Sequence, residues 1–399
     1  MIPVSEAIEI IKRETFSLST ETIELRDSIG RILAEKVFAD MDLPPFDRSQ
    51  MDGFAVRSED TNLVPAKLKI IGESVAGRGF DGELKSGETV RIMTGARVPN
   101  GADSVQKVEL TRDSDEDFVE IVETARPKQN MVTRAAEIKK GAQVFSAGEQ
   151  ITENMIASIA SFGYAKVKVS RQPKAAILAT GSEIVDISET PKHDQIRNSN
   201  SIMLEAFARK TGAETLVLPI AGDEILNLKS QIAGALKTSD VLIITGGVSV
   251  GDYDFTKPAL RELGAEVFFE KVSLKPGKPT VFAKLNDKLI FGLPGNPVSV
   301  AVTFCLFVRA ALLKMQGAKN CELKKGFAVA HEKIKGAKER DSFLPVFVET
   351  NAKGNLIVES LRFTGSSNFI AFSRANALAF VPQNTFLEAG DIAEILFLP

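Results

Sequence analysis

Apolar residues at Val4, Ala7, Ile8 and Ile11 follow the i, i+3, i+4, i+7 spacing of one helix face, which predicts an amphipathic helix near the start of the chain. Between residues 46 and 137 the pattern shortens. β-type runs at 68–71 and 88–93 are set apart by the glycine-bearing turns Ala76-Gly77-Arg78-Gly79 and Asp81-Gly82, which predicts a small β-rich domain. A helical stretch at 152–162 then runs into an alternating strand at 165–169.

From residue 175 the chain alternates strand and helix. The apolar run 175–179 ends in Thr180-Gly181, and a helix with Met203, Ala206 and Phe207 on one side closes at Gly212. A strand at 215–218 follows, then a helix whose Ile225, Leu228, Ile232 and Leu236 share a face, then a strand at 241–244 entering Gly246-Gly247. That alternation predicts parallel strands joined by crossover helices. After residue 320, short runs at 343–348, 356–359, 377–381 and 392–398 predict a compact β-domain. The expected division is 1–45 with 138–170 as a mixed N-terminal domain, 46–137 as the β-rich domain, 171–320 as the α/β domain and 321–399 as the C-terminal β-domain.

The chain has 399 residues, enough for two to four domains with real cores. Forty-nine Lys and Arg against 52 Asp and Glu leave a net charge of −3, so no global basic field attracts nucleic acid or an acidic membrane, and any anion site has to be local. Hydrophobic residues at 44% and charged residues at 25% exclude a disordered chain. Only Cys305, Cys321, His193 and His331 are available as soft or nitrogen ligands, which excludes a disulfide framework, a Cys-rich zinc site and a multi-histidine centre. A metal ion would have to be a hard cation on carboxylates. The N-terminus lacks a secretion-signal layout, and the longest apolar stretch, 300–308, stops at Arg309, well short of the roughly 20 residues of a membrane span. The cytoplasm is the expected location, with no membrane or nucleic-acid partner.

In an open α/β sheet, ligands bind outside the carboxyl ends of the strands, where loops aim unpaired N–H groups at one crevice. Four polar loops are expected there. Thr180-Gly181-Ser182-Glu183 follows the first strand, and Thr245-Gly246-Gly247-Val248-Ser249-Val250-Gly251-Asp252-Tyr253-Asp254 follows the third. The second has glycines that admit a phosphate to the backbone and carboxylates suited to Mg2+, yet neither G-x-G-x-x-G nor a P-loop lysine is present. Lys275-Pro276-Gly277-Lys278-Pro279 offers two compact cations for an oxyanion. Gly292-Leu293-Pro294-Gly295-Asn296-Pro297-Val298-Ser299 carries a strand through a rigid turn into an apolar helix with proline at its start. Each loop alone is equally an ordinary turn or cap; four together point to a small anionic ligand. In the β-rich region, Pro44-Pro45-Phe46-Asp47-Arg48-Ser49-Gln50-Met51-Asp52-Gly53-Phe54-Ala55 and Met93-Thr94-Gly95-Ala96 are dense in groups that bind metal or hydroxyls and that also build turns. The two histidines are assigned no role.

In this order, the segments resemble the MoeA family of molybdopterin molybdenumtransferases, whose eukaryotic relatives include the gephyrin E domain. The resemblance spans essentially the whole chain and rests on PPFDRSQMDGFAV, RIMTGARVPNGADSV, ATGSE, RNSNSIML, TGGVSVGDYDFTK, KPGKP, GLPGNPVS and GSSNFIAFSRANAL. It implies an α/β plus β-rich fold: an elongated multidomain subunit with a MogA- and MoaB-like parallel α/β domain and a C-terminal β-barrel-like domain. It further implies a homodimer whose cleft lies between the α/β domain of one subunit and the β-rich region of its partner. Adenylylated molybdopterin and molybdate would be the substrates, Mg2+ the supporting ion and AMP a product, with contact to the upstream adenylyltransferase.

By the same resemblance, Asp52, Thr94, Glu137, Glu183 and Asp254 occupy catalytic positions, and Asp223 and Asp254 hold the metal ion. Asp47, Ser49, Asp223, Gly246, Gly247, Ser249, Lys275, Lys278, Pro294, Asn296, Pro297, Ser299, Arg340 and Ser366 occupy substrate-binding positions. The ligand's own sulfurs attack the metal centre, so proximity replaces a protein nucleophile. Three departures stand out. In Arg134-Ala135-Ala136-Glu137, A-A-E replaces the G-E-D of R-x-x-G-E-D and Val132 stands where a further arginine is common, Pro345 takes the place of the second arginine of G-R-x-x-F-x-R, and Thr180-Gly181-Ser182-Glu183 replaces T-G-D-E. Two rival readings remain at this point: a molybdopterin adenylyltransferase, because the α/β segment alone resembles that fold, and a non-catalytic scaffold.

Overall fold

A computed structural model gives the structure of the chain and describes all residues except 116, 223, 249–254 and 362–364. The described chain forms two compact units, one of residues 1–35, 147–153 and 166–399, the other of residues 36–146 and 154–165.

The larger unit is built on a six-stranded sheet. Its strands are β1 (Lys174–Ala179), β2 (Glu214–Val217), β3 (Val241–Thr245), β4 (Glu266–Phe269), β5 (Val281–Leu285) and β6 (Lys288–Leu293), in the order β2-β1-β3-β6-β5-β4. β1 and β3 are buried throughout apart from the first residue of β1, and apolar apart from that residue and Thr245 at the end of β3, as strands covered on both faces must be. The expected all-parallel sheet is corrected on one side: β5 runs antiparallel to both β6 and β4. The reason is local. β5 and β6 are joined through Asn286-Asp287, and Asn286 sits at φ 53°, so the chain turns back in a tight hairpin instead of crossing over through a helix.

Helix α1 (Val4–Glu14) buries Val4, Ala7 and Ile11 in the same core. Helices α2 (Ser199–Lys210) and α3 (Ile225–Thr238) make the crossovers, with Leu204 and Ala208 on one side of the sheet and Leu228, Ile232 and Leu236 on the other. Asn198 caps α2 by accepting from the Ser201 amide at 3.1 Å. The loop after β6 opens the apolar helix α4, a continuous run over Pro297–Met315 with a π-helical turn at Phe304–Val308. It is apolar and long enough to cross a membrane by composition, but 89% of that window is buried inside the protein, where it forms the floor of the core. Cys305 lies in the π turn, and burial pushes its thiol up to about 12. A thiol that stays protonated and shielded is an inert packing group.

The C-terminal part of this unit is a closed five-stranded barrel. Strands β7 (Lys325–Ala330), β8 (Asp341–Thr350), β9 (Leu356–Ser360), β10 (Ala377–Val381) and β11 (Ile392–Phe397) pair in the ring β8-β9-β7-β11-β10-β8. Its interior holds Ala328, Ile334, Val346, Val358, Ala379 and Ile395. A short strand at Leu274–Lys275 pairs in parallel with the start of β8 and joins the β4–β5 connection to the barrel.

The smaller unit carries a six-stranded mixed sheet in the order Ser104–Lys107, Gly53–Val56, Glu88–Ile92, Ala66–Ser74, Phe118–Ile121, Thr111–Asp115. Alternation along 53–56 sends Phe54 and Val56 into one small core and Ala55 into another. The chain is therefore an α/β plus β-rich protein with a C-terminal barrel.

Candidate active site

The carboxyl ends of β1, β3 and β6 open onto a crevice of about 1000 Å3. Its walls include Thr180 to Glu183, Asn198 to Asn200, Thr245 to Val248 and Pro294 to Pro297. Gly246 has φ 94°, and a Cβ there would sit 2.5 Å from the Thr180 carbonyl oxygen, so only glycine lets the two loops close up. Asn200 ties the end of β3 to the loop after β6: its Nδ2 donates to the Gly295 carbonyl at 2.7 Å and to Thr245 Oγ1 at 3.1 Å. Its Oδ1 and the Thr180 hydroxyl are buried without a hydrogen-bond partner among the described residues. Buried polar atoms ordinarily find partners, so two orphans on the wall of one crevice mark a surface shaped for a polar ligand.

Beside it lies a second cavity of about 660 Å3. The β4–β5 connection and α4 supply Lys275, Lys278 and Ser299, and the barrel supplies Lys333, Lys335 and Arg340. Among the described lining residues there is no carboxylate, a strong local concentration of positive charge on a chain of net −3. Lys275 is held by the strand pairing of Leu274–Lys275 with β8, and Arg340 donates to the Leu274 carbonyl at 3.2 Å. Gly277, at φ 120°, would drive a Cβ to 2.5 Å from Thr303 Cγ2, so the turn between the lysines can pass over α4 only as glycine. The Lys-Pro-Gly-Lys-Pro loop reaches this edge of the sheet because β5 runs backward. Its position is the amino end of an antiparallel strand, where a carboxyl end was expected. The two cavities share Pro279, Pro294 and Asn296 as lining.

The structure thus brings Glu183, Gly246, Gly247, Pro294, Asn296 and Pro297 to the crevice. Lys275, Lys278, Pro294, Asn296, Ser299, Arg340 and Ser366 line the cationic cavity. Asp223, Ser249 and Asp254 fall outside the described residues, and with them both carboxylates expected at the metal. Among the described residues no cluster of three or more His, Cys, Asp or Glu stands ready for a metal ion. Asn200 carried no role in the sequence reading, although it lies in the quoted RNSNSIML segment. Lys333 and Lys335 gave no local signal at all.

The remaining candidates lie in the smaller unit. Asp52 Oδ1 accepts from the Thr94 amide at 2.6 Å and from the Thr94 hydroxyl at 2.7 Å, and these bonds, the hydroxyl's first, hold its carboxyl below the usual carboxylate range. Ser49 is buried, and its hydroxyl closes a turn by donating to the Met51 carbonyl at 2.6 Å. Asp47 accepts from the Arg134 amide at 2.7 Å, while the Arg134 side chain pairs with Asp42. Glu137 pairs with Arg48 at 3.3 Å on an exposed surface. The altered Arg134 to Glu137 segment is therefore tied down at both ends by charge. His193, fully exposed beside Asp194, and His331 have no place in either cavity.

Three family profiles match the chain: MoeA N-terminal region (domain I and II) over residues 2–163, a probable molybdopterin binding domain over 176–314, and MoeA C-terminal region (domain IV) over 328–398. A molybdopterin molybdenumtransferase of Staphylococcus aureus is 35% identical over 99% of this chain and 95% of its own length. One from Haemophilus influenzae is 35% identical over 94% of this chain and 93% of its own. Among solved structures, a molybdopterin biosynthesis MoeA protein from Pyrococcus horikoshii OT3 superposes with a TM-score of 0.86 at 29% identity, covering all of both chains.

Proposed function

We infer the chemistry from the premise that this chain belongs to the MoeA family of molybdopterin molybdenumtransferases: it is a transferase of molybdenum cofactor biosynthesis that inserts molybdenum into molybdopterin. The observation that carries the assignment to these residues is the junction of the two cavities at Pro279, Pro294 and Asn296. The glycine-walled crevice takes the adenylylated pterin, whose phosphates meet the loop amides around Gly246 and Gly247. Molybdate enters the cationic cavity, where Lys275, Lys278 and Arg340 offset its two negative charges and Ser299 and Ser366 offer hydroxyls. Fixing the oxyanion beside the dithiolene converts an encounter between two anions into a reaction within one complex. AMP leaves from the crevice.

Glu183, the Thr180 hydroxyl and the Asn200 carbonyl oxygen give the crevice wall an all-oxygen donor set, the chemistry a hard cation such as Mg2+ requires. Asp223 and Asp254 belong to the same proposed set. Bound there, Mg2+ supplies positive charge to the phosphates of the pterin adduct. The chain acts as a homodimer in the cytoplasm and receives its pterin from the upstream adenylyltransferase. The Asp52–Thr94 pair of one copy serves the cleft of the other, a reading supported by the PPFDRSQMDGFAV and RIMTGARVPNGADSV segments. Mixing Asp52→Ala with Lys275→Ala protein then restores activity that neither variant has alone, because the mixed dimer contains one intact cleft.

The direct test is the double variant Lys275→Ala, Lys278→Ala in a reconstituted assay with adenylylated molybdopterin, molybdate and Mg2+. Cofactor formation is lost while the circular dichroism spectrum is retained. Full activity in that variant, or adenylylation of molybdopterin from ATP without molybdate, overturns the proposal.

A further inference from the structure

We propose that Lys335 is a third lysine ligand of the oxyanion, contributed by the barrel and selecting a doubly charged anion over a singly charged one. The proposal rests on the reading of the cationic cavity as the molybdate site. Ile334 and Lys335 form a two-residue strand paired with Phe386–Leu387, and Ile334 is 3% exposed within the barrel core. Lys333 and Lys335, exposed on either side of the buried Ile334, both line the cavity.

The two lysines are not equivalent. Lys333 donates to Glu388 at 2.6 Å and lies 4.0 Å over the Phe386 ring, so its charge is already matched. No carboxylate among the described residues lies within 4.0 Å of the Lys335 ammonium. Arg340, the other barrel cation, has a guanidinium nitrogen committed to the Leu274 carbonyl at 3.2 Å. Pro345, also in the lining, carries no charge and no backbone N–H. On the barrel side, Lys335 thus adds an unpaired ammonium to the guanidinium of Arg340, lining the same space as Lys275 and Lys278. A third uncompensated ammonium strengthens the hold on two negative charges more than on one, because the attraction scales with the product of the charges.

Titration calorimetry of the full chain decides it, with molybdate and with perrhenate, a tetrahedral oxyanion of single charge, as probes. Lys335→Ala is expected to weaken molybdate binding about tenfold and perrhenate binding about threefold or less. Lys335→Arg keeps molybdate affinity within about threefold of the parent, and Lys338→Ala, outside the lining, leaves it unchanged. Molybdate affinity within about twofold of the parent in Lys335→Ala, while Lys275→Ala abolishes binding, overturns the role of Lys335 and leaves the site reading intact. No molybdate binding by the parent chain, with or without pterin present, overturns both.

Discussion

The side-chain amide of Asn296 donates to the Ser366 hydroxyl at 2.8 Å, and the Val298 amide donates to the Ser366 carbonyl at 3.1 Å. The loop that ends β6 is thereby clasped to the segment that precedes the last two barrel strands, at the point where the two cavities meet.

Asn296→Ala removes the side-chain half of that clasp and leaves the main-chain half. Asn296 is exposed, so the expected loss of stability in a urea melt is about 1 kcal/mol or less. Molybdenum transfer is expected to fall about tenfold or more, because reacting groups displaced by even 1 Å react far more slowly. Ser366→Ala keeps the Val298 bond and should cost less activity. A stability loss as large as the rate loss would show that the clasp serves folding alone.

The Asp52 carboxyl is held below its ordinary value of 3.8 by the Thr94 hydroxyl and amide. Its folded value is depressed, so the charged form and its two hydrogen bonds persist above 3.8 and are lost as the pH falls through the lower, folded value. Thr94→Val deletes the larger contributor and should raise the Asp52 midpoint toward 3.8 in a carboxyl-detected NMR titration. An unmoved midpoint would refute the assignment of cause.

Asp240 sits at the opposite end of the sheet from the cavities, just before β3. Burial alone would raise its carboxyl. Bonds from Arg171 at 2.9 and 3.1 Å and from the Lys174 amide, with the charge of Lys288, hold it below the ordinary value instead. Asp240→Ala removes the buried carboxylate that a part-buried Arg171 and the Lys174 amide bond to, and is expected to destabilise the larger unit by about 2 kcal/mol. Crevice chemistry at saturating substrate should stay near parental below the melting transition. Chemical denaturation and steady-state turnover measured side by side check both halves.

Much of this architecture can be read from the chain itself. The stripe from Val4 to Ile11, the buried strand before Thr180-Gly181 and the glycines after β3 all reflect main-chain demands that leave a mark in composition. The reversal of β5 escaped notice because its only local sign is Asn286 in a two-residue turn, a weaker signal than Asn-Gly. The π turn in α4 leaves no mark, since every residue across it is apolar and buried. The crevice loops are legible because each is glycine-rich and follows a strand. The barrel side of the cationic cavity is not: Lys335 lies sixty positions beyond Lys275 in the chain, and only the closure of the barrel and the Leu274–Lys275 strand bring the two to one space.

Lys275 is hydrogen-bonded through its strand to β8, whereas the Lys278 carbonyl accepts from the Val272 and Thr280 amides just ahead of β5. Three residues apart, the two lysines are held by different partners, one by the barrel strand β8 and the other by the backbone bonds that lead into β5. Any substitution that loosens either anchor lets the two charges spread, so the grip on a dianion depends on backbone pairing that neither lysine side chain makes itself.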